Sequence, residues 1–262
     1  MKSDKIIFSI SEWLKEYSLK SNTSGFIIGI SGGIDSALTS TLCANTGFPV
    51  LCLEMPIYQK NNEINRAKKH IEWLKKKFKN VDSKNIDLSD LFDSFKNSIK
   101  HSKNEQINLH ALANTRSRLR MATLYYFAAI SNSIVVGTGN KVEDFGIGFY
   151  TKYGDGGVDI SPIADLLKSE VFELAKKFKI INEILDAKPT DGLWDDGRTD
   201  EDQIGASYTE LEWAMKQIEK GKNADNFEGR KKEVFNILVK LNKQNLHKIK
   251  PIPIYKVPNE LR

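Results

Sequence analysis

The sequence predicts an α/β fold: a doubly wound parallel sheet with helices on both faces. Three observations lead to this prediction. Short runs that are apolar on both sides alternate with segments that carry a helical apolar stripe. One of these strand-like runs ends in Ser-Gly-Gly and continues directly into a helix. Seven of the 17 glycines lie between positions 137 and 157, in a loop long enough to be functional.

Four strands and the helices between them follow from these patterns. The predicted strands are 26–30, 50–55, 85–88 and 134–137. The predicted helices are an amphipathic N-terminal helix and 35–45, 63–78, 91–101, 109–131, 168–178, 208–219 and 229–245. Parallel sheets bind ligands at the carboxyl ends of their strands. The loops after Ile30, Met55 and Val136 are therefore the expected site.

Composition and charge fit a globular protein that binds a small anionic molecule. The chain has 262 residues, of which 40% are hydrophobic and 28% charged, with a formal net charge of +5. Much of that charge is lysine on solvated helix faces, so nucleic acid is not required as a partner. Charges throughout the N-terminus exclude a signal peptide, and no apolar run approaches the ~18 residues that span a bilayer. With only Cys43 and Cys52 and no disulfide pattern, we expect a cytoplasmic protein that contacts no membrane.

The hexapeptide SGGIDS at 31–36 predicts a phosphate site. Backbone N–H groups converge where a strand turns directly into a helix, and glycines permit the close approach of a ligand. Asp35, in the first helical turn, would repel phosphate unless a cation lay between them, and Mg²⁺ commonly bridges carboxylate and phosphate. Neither GxxxxGK[ST] nor GxGxxG is present, which disfavours the two usual nucleotide motifs.

Several segments in a fixed order carry a family resemblance. SGGIDS resembles the pyrophosphate (PP) loop of the ATP pyrophosphatases, which adenylate a carboxylate or carbonyl and release pyrophosphate. The others are NTRSRLRM (114–121), VVGTGNKVE (135–143), FYTKYGDGGVDISPI (149–163), Lys168, KPTDGL (188–193) and HK (247–248). Together they are similar to the ammonia-dependent NAD synthetase family. The resemblance implies a Rossmann-like sheet of the adenine nucleotide α-hydrolase type and a single domain over 1–262 without a glutaminase domain.

The resemblance also implies roles for individual residues. Those implied to bind ATP are Gly29, Ile30, Ser31, Gly32, Gly33, Ile34, Asp35, Ser36, Thr138, Lys168 and Thr190. Those implied to bind deamido-NAD (nicotinic acid adenine dinucleotide) are Arg118, Lys152, Asp159, His247 and Lys248. Asp35 and Glu143 would ligate Mg²⁺, and they could converge because both follow parallel strands. The catalytic residues would be Asp35, Lys168 and Asp155, the last to orient ammonia or accept its proton. The family works as a homodimer with the dinucleotide across the subunit interface.

Three features leave parts of the site open. Arg116, Arg118 and Arg120 alternate within a helix, so at most one or two reach the ligand, and the family pattern favours Arg118. The stretch 143–152 is one residue longer than in some relatives, which leaves the contacts of its loop undefined. Glu54 stands where relatives can have a basic residue, so the resemblance does not define the adenine and ribose contacts near the second strand.

The implied reaction is a two-step amidation. The nicotinate carboxylate of deamido-NAD attacks the α-phosphorus of ATP, and ammonia then attacks the acyl-adenylate to give NAD⁺, AMP and pyrophosphate. We expect free ammonia, or ammonia delivered by an unidentified partner, as the nitrogen source, because 262 residues leave no space for the amidase domain of glutamine-dependent relatives. The polar stretch 193–207 is a candidate lid that excludes water.

Two other functions remain open at this point. One is a tRNA-modifying PP-loop enzyme that adenylates a base carbonyl, although no zinc site or basic aromatic-rich appended domain supports it. The other is a non-catalytic nucleotide sensor similar to the universal stress proteins. The combination of Asp35, Glu143 and Lys168 argues against a sensor.

Overall fold

A computed structural model describes residues 1–190 and 199–262. Its central sheet has four parallel strands, β1 (Phe26–Gly29), β2 (Val50–Glu54), β3 (Val81–Asn85) and β4 (Ile134–Val135). Their order across the sheet is β3-β2-β1-β4. The order therefore reverses beside β1, which leaves a crevice between β1 and β4 where doubly wound sheets bind ligands. The predicted fold class is confirmed.

The helices follow the predicted alternation. The α-helices of the described part are α1 (Ser3–Lys20), α2 (Ile34–Asn45), α3 (Asn61–Lys77), α4 (Ser89–Ser98), α5 (Glu105–Ser131), α6 (Lys168–Phe178), α7 (Asn182–Leu185), α8 (Asp200–Ile204), α9 (Tyr208–Glu219) and α10 (Gly229–Ile249). A π-helix covers Val142–Ile147, and short 3₁₀ helices cover Ala224–Asn226 and Asn259–Leu261. None of these helices is both apolar and long enough to cross a membrane, within the residues described.

Alternate side chains of the strands fill two apolar layers. Phe26 and Ile28 of β1 pack with buried residues of α1, α2, α3 and α6 on one face. Ile27 packs on the other face with Phe92 of α4 and Ala128 of α5. Each such fully buried large side chain contributes roughly 1.5–3 kcal/mol of hydrophobic stabilisation. The two layers hold the strand ends, and hence the crevice, in a fixed position.

A third apolar cluster lies beside the sheet. Val142 and Ile147 of the π-helix pack against Leu211 of α9 and Val234 and Leu238 of α10. These residues are buried, and they anchor the segment that follows β4 to the C-terminal helices. The cluster therefore fixes one wall of the crevice.

The third strand was predicted at the wrong place. The apolar residues of 85–88 suggested a strand there, whereas β3 covers Val81–Asn85. β3 lies at the sheet edge and only Val81 is buried, so its sequence shows no apolar alternation. Leu88 follows the strand and packs against Phe92 in the apolar layer below.

Two segments predicted as loops contain helices. The π-helix Val142–Ile147 lies in the glycine-rich stretch, and this rare helix type is frequent at functional sites. α8 lies within the predicted lid, where the Thr199 side chain accepts a hydrogen bond from the Asp202 amide. Residues 193–198 of that predicted lid lie outside the described residues.

Candidate active site

A cavity of about 830 Å³ opens at the carboxyl ends of β1, β2 and β4. Parallel sheets bind their ligands at this edge. Of the residues predicted from the sequence, those that line the cavity are Gly29, Ile30, Ser31, Gly33, Ile34, Asp35, Ser36, Arg118, Thr138, Glu143, Lys152, Asp155, Lys168, Thr190, His247 and Lys248. Gly32 and Asp159 are not part of its wall.

The turn between β1 and α2 presents free amides to the cavity. The first intrahelical bond runs from the Ala37 amide to the Gly33 carbonyl at 3.2 Å, so the three amides before it have no acceptor among the described residues. The Ser36 hydroxyl donates to the Gly33 carbonyl at 3.0 Å and lies 3.1 Å from the Ser31 hydroxyl. The turn is thus held in shape, and its amides form an anion site at the positive end of the helix dipole.

Gly32 shapes this turn without contacting the cavity. Its φ angle is +81°, in the left-handed region that favours glycine. A Cβ at this position would lie 2.7 Å from the Glu63 carbonyl oxygen and 3.1 Å from the Ala67 amide nitrogen. Only glycine therefore lets α3 pack directly against the phosphate turn.

Asp35, Glu143 and Lys168 meet at one end of the cavity. The Lys168 ammonium donates to Asp35 Oδ2 at 2.6 Å and to Glu143 Oε1 at 2.9 Å. The lysine side chain is only 4% exposed, and the carboxylates are 18% and 16% exposed. The sequence separation of these residues is large, so the doubly wound topology itself brings them together.

The protonation of these groups follows from burial and from the shared lysine. Burial raises the pKa of Asp35, with the Glu143 charge adding to the rise and Lys168 opposing it. Burial also acts to raise the pKa of Glu143, but attraction to Lys168 and hydrogen bonds from Tyr208 and Lys168 lower it overall. For Lys168, burial alone would lower the pKa, and the two carboxylates raise it instead. Lys168 is therefore charged at neutral pH.

Lys168 is placed by the N-terminus of α6. Glu170 accepts a hydrogen bond from the Leu167 amide at 2.9 Å, and Glu212 of α9 accepts from the Ser169 amide and hydroxyl at 2.8 and 2.7 Å. A cation in the first turn of a helix is unfavourable because it meets the positive end of the helix dipole. The carboxylates of Asp35 and Glu143 offset this cost, so the position suits a functional lysine better than a structural one.

Asn140, Tyr208 and Asp200 complete this cluster, and sequence reasoning missed them. The Asn140 amide donates to Asp35 at 3.1 Å, while its carbonyl oxygen accepts from the Glu143 amide at 3.1 Å. The Tyr208 hydroxyl lies 2.5 Å from Glu143 Oε1 and 3.2 Å from an Asp200 oxygen. Asn140 lies within the GTGNKVE segment, three residues before Glu143, so the sequence already indicated that it lies near the site. Tyr208 gave none, because it reaches Glu143 from 65 residues away in the chain.

The carboxylates of Asp35 and Glu143 fit Mg²⁺. Together with Lys168 they carry a net charge of −1, and they offer the oxygen ligands that Mg²⁺ prefers. Within residues 1–190 and 199–262 no group of three acidic, histidine or cysteine side chains could form a protein-only metal site. Two carboxylates suffice for Mg²⁺ when substrate phosphates supply further ligands.

The π-helix brings a further acid, Asp144, to the cavity wall. Its pKa is raised to about 8 by burial and by the charges of Glu143, Asp155 and Asp35. A Cβ at Gly139 would overlap the Asp144 carboxylate, so glycine at 139 makes room for it.

Asp155 is held rigidly in the glycine-rich loop. One of its oxygens accepts hydrogen bonds from the Ser117 hydroxyl at 2.7 Å and from the Thr151 amide at 2.9 Å. Burial raises the pKa of Asp155, although these hydrogen bonds oppose the rise. A smaller cavity of about 130 Å³ adjoins the main one, and Asp144 and Asp155 line both. Asp155 is thus a fixed carboxylate at the junction of the two cavities.

The basic residues predicted to bind deamido-NAD join the end of α10 to this loop. Lys152 donates to the His247 carbonyl at 2.7 Å. Lys248 donates to the carbonyls of Gly148 and Tyr150 at 2.9 and 2.8 Å. In this structure both ammonium groups therefore serve backbone carbonyls at the cavity wall.

The three alternating arginines divide between two environments. Arg118 and Arg120 line the cavity, whereas Arg116 does not and packs its guanidinium 5.0 Å from the Phe92 ring centre. Arg118 donates to the Lys152 carbonyl at 3.3 Å. Arg120 donates to the Met55 carbonyl at 3.0 Å, and burial lowers its pKa to about 10.

Asp159 faces away from the cavity. Its carboxylate accepts hydrogen bonds from the Val135 amide at 2.8 Å and from the Tyr125 hydroxyl at 2.9 Å. The side chain stands on an exposed face of the chain, next to α5. A role for Asp159 in binding deamido-NAD stays a prediction.

Comparison with known proteins agrees with this site. The family model for NAD synthase matches residues 6–252. The NH₃-dependent NAD⁺ synthetase of Methanosarcina acetivorans is 36% identical over 252 residues, covering 94% of this chain and 95% of that protein. A structure of NMN synthetase from Francisella tularensis has a TM-score of 0.82 and 32% identity, covering 99% of both chains. An NH₃-dependent NAD synthetase from Campylobacter jejuni has a TM-score of 0.78 and 28% identity, covering 98% of this chain and 100% of that chain.

These similarities favour neither the tRNA-modifying enzyme nor the nucleotide sensor. The family match spans both the phosphate turn and the C-terminal helix that carries His247. This chain belongs to the NAD synthase family.

Proposed function

We propose that this chain catalyses the ATP-dependent amidation of deamido-NAD by ammonia, giving NAD⁺, AMP and pyrophosphate. This makes it a ligase that forms a carbon–nitrogen bond. Membership of the NAD synthase family supports the reaction. The observation that carries it is the convergence of Asp35, Glu143 and Lys168 beside the phosphate turn. That arrangement suits the binding and cleavage of a nucleoside triphosphate.

The first step activates a poor acyl donor. A carboxylate oxygen of the nicotinate attacks the α-phosphorus of ATP, and the bond from that phosphorus to the bridging oxygen of the β-phosphate breaks. The electron pair leaves with pyrophosphate. The first amides of α2 hold this leaving group, and Lys168 opposes the negative charge that develops.

Asp35 and Glu143 are the residues that would hold Mg²⁺ in this step. When bound, the ion would neutralise charge between these carboxylates and the phosphate oxygens. Asn140 fixes Asp35 relative to Glu143, and Tyr208 orients Glu143 through its hydroxyl. Both keep the carboxylates in place for turnover.

The second step forms the amide. The nitrogen of ammonia attacks the acyl carbon, the bond to the AMP oxygen breaks, and a proton leaves the nitrogen. Asp155 accepts this proton in our proposal, since its raised pKa makes it a better base than an ordinary aspartate. Ammonia is the proposed nitrogen donor, in line with the names of the curated relatives.

A homodimer with the site at its interface is part of the proposal. Tyr126 and Ile130 of α5 are four residues apart and exposed by 62% and 64%, so they form an apolar patch on one face of the helix. The hydroxyl of Tyr125, which precedes Tyr126 in α5, donates a hydrogen bond to Asp159. A second subunit packed on this face would place Asp159 at the subunit interface, where deamido-NAD is proposed to bind.

A cytoplasmic location is proposed as well. Cys43 and Cys52 are both buried free thiols, which suit a reducing compartment. Burial raises the pKa of Cys52 to about 12, so this thiol is unreactive.

Product analysis tests the proposed function. The purified chain is incubated with deamido-NAD, Mg-ATP and ammonium, and NAD⁺, AMP and pyrophosphate are quantified by chromatography. We expect the three products in equal amounts, and exchange of labelled pyrophosphate into ATP only when deamido-NAD is present. Formation of ADP, or equal turnover with glutamine in place of ammonium, would contradict the proposal.

Nicotinic acid mononucleotide is a second candidate substrate. The structure of NMN synthetase from F. tularensis covers this chain almost completely, at 32% identity. Amidation of the mononucleotide uses the same chemistry at the nicotinate carboxylate. The mononucleotide differs from deamido-NAD only in lacking its AMP half. The ratio of kcat/KM for deamido-NAD to that for the mononucleotide decides between them: a ratio well above one supports deamido-NAD, and a ratio below one supports the mononucleotide.

A further inference from the structure

An arginine and a glutamate face the cavity from the β2 side without pairing with each other. Glu54 is the last residue of β2, and Arg66 lies in α3. Both line the cavity. Within the described part of the chain, neither side chain takes part in an ion pair. Opposite charges that share a cavity unpaired leave room for a ligand that satisfies both.

Glu54 carries an unsatisfied buried oxygen. Its Oε2 atom is buried and has no hydrogen-bond partner among residues 1–190 and 199–262. A buried carboxylate oxygen without a donor is costly, so such atoms usually indicate a ligand or a catalytic role. Burial also raises the pKa of Glu54, and nearby Lys68 only partly opposes the rise. A carboxylate accepts hydrogen bonds, so a donor such as a hydroxyl or amino group of a ligand would satisfy it.

Arg66 is fixed against the phosphate turn by one nitrogen only. Its Nε donates to the Gly32 carbonyl at 3.2 Å. No hydrogen bond of its two terminal nitrogens is found among the described residues. The Cβ position of Gly32 would be 3.2 Å from Arg66 Cβ, so the arginine stem packs on the turn itself. Its free guanidinium fork suits phosphate oxygens.

The sheet order separates the two substrates. Residues proposed for the nicotinate and ammonia, such as Asp155 and Lys152, follow β4 in the chain. Glu54 lies on the other side of β1, because β2 pairs with β1 through Gly29 and Leu53. With the triphosphate on the turn after β1 and the nicotinate beside the residues after β4, the β2 side is the part of the cavity left for the adenosine of ATP.

We propose that Arg66 binds the phosphate chain of ATP and that Glu54 accepts a hydrogen bond from its adenosine. The two residues together make the β2 side of the cavity selective for a nucleoside triphosphate. Arg66 of α3 supplies the positive charge on this side of the cavity. This inference rests on the proposed function, which makes ATP the nucleotide of this site.

ATP binding alone tests the role of Arg66. Mg-ATP is titrated into the full-length chain by calorimetry, without deamido-NAD. Arg66→Gln should raise Kd by roughly tenfold to a hundredfold, the effect of one charge-assisted contact, and Arg66→Lys should recover part of it. Lys76→Gln is the matched control, because Lys76 is exposed at the far end of the same helix and should leave Kd unchanged.

Glu54 is tested by changing both the residue and the ligand. The wild type should bind ATP at least several-fold more tightly than either a deoxyribose analogue or the triphosphate of purine riboside, which lacks the amino group. Glu54→Gln should weaken ATP binding and reduce that preference. Its melting temperature without ligand should stay the same or rise, because an unsatisfied buried charge has been removed. A residue with a merely structural role would lower the melting temperature and leave the preference unchanged.

Turnover distinguishes this inference from the proposed function. The Arg66→Gln and Glu54→Gln variants should raise KM for ATP and leave KM for deamido-NAD within about twofold. Wild-type turnover with unchanged ATP affinity in both variants would overturn the inference alone. A wild type that binds ATP selectively but does not amidate deamido-NAD would overturn the proposed function alone.

Discussion

Replacing Lys168 by methionine should destabilise the protein in a pH-dependent way. The ammonium lies 2.6 Å from Asp35 and 2.9 Å from Glu143, and it is almost fully buried between them. Methionine has a similar volume but no charge, so the variant leaves two carboxylates facing each other in a site of low solvent access. Removing one partner of a buried ion pair costs about 3–5 kcal/mol. We expect a loss of that order in the free energy of unfolding at pH 8.

The sign of the pH dependence follows from the carboxylates. Without Lys168, burial and mutual repulsion raise the folded-state pKa values of Asp35 and Glu143 above their values in the unfolded chain. Groups shifted upwards contribute full stability below the unfolded-state pKa, near 4, and lose it as the pH rises through the folded-state values. The deficit of the variant relative to the wild type should therefore shrink to below about 1 kcal/mol near pH 4.5.

Urea titrations at pH 8 and pH 4.5 measure both effects. Lys176→Met is the matched control, because Lys176 is exposed in the last turn of the same helix and should change the free energy by less than about 0.5 kcal/mol. A Lys168→Met variant as stable as this control at pH 8, or equally destabilised at both pH values, would refute the reasoning.

Three further predictions concern the phosphate turn and the core. Gly32→Ala should lower the free energy of unfolding, measured in urea, by at least about 1 kcal/mol more than Gly47→Ala. Both glycines have a φ angle near +80° (+81° and +82°), but only a Cβ at position 32 would meet the Glu63 backbone. Equal losses in the two variants would contradict this. Burial lowers the pKa of His70 from 6.5 to about 3. The free energy of unfolding of the wild type should therefore fall by about 2 kcal/mol between pH 7 and pH 5, and His70→Gln should lack this loss. Identical pH profiles of the two proteins would disprove this. Asp35→Asn should keep the melting temperature of the wild type within a few degrees. Its Mg²⁺-dependent turnover should fall by at least about a hundredfold. Normal turnover in this variant would overturn the metal assignment.

The sequence predicted the parts of the site that depend on local chemistry. The phosphate turn needs glycines, a strand before it and a helix after it, and all three are visible within 31–36. Asp35 and Glu143 were predicted to converge because both follow strands of a parallel sheet, and their common bond to Lys168 agrees. The interior strands were predicted closely, because they are apolar on both faces.

Features that depend on tertiary contacts were missed. Tyr208 reaches Glu143 from α9, and nothing near either residue in the sequence signals the contact. The edge strand Val81–Asn85 has little buried surface and therefore no apolar pattern. The π-helix Val142–Ile147 was predicted as part of a loop, because it is accompanied by packing against α9 and α10 and by no local sequence pattern.

Isotope transfer from the nicotinate carboxylate tests the central chemistry most directly. Deamido-NAD labelled with ¹⁸O in that carboxylate is converted with ATP and ammonium, and the AMP formed is examined by mass spectrometry. Attack of the carboxylate on the α-phosphorus predicts one labelled oxygen in the phosphate of each AMP. Unlabelled AMP, with the label in inorganic phosphate or pyrophosphate, would contradict adenylation at this site.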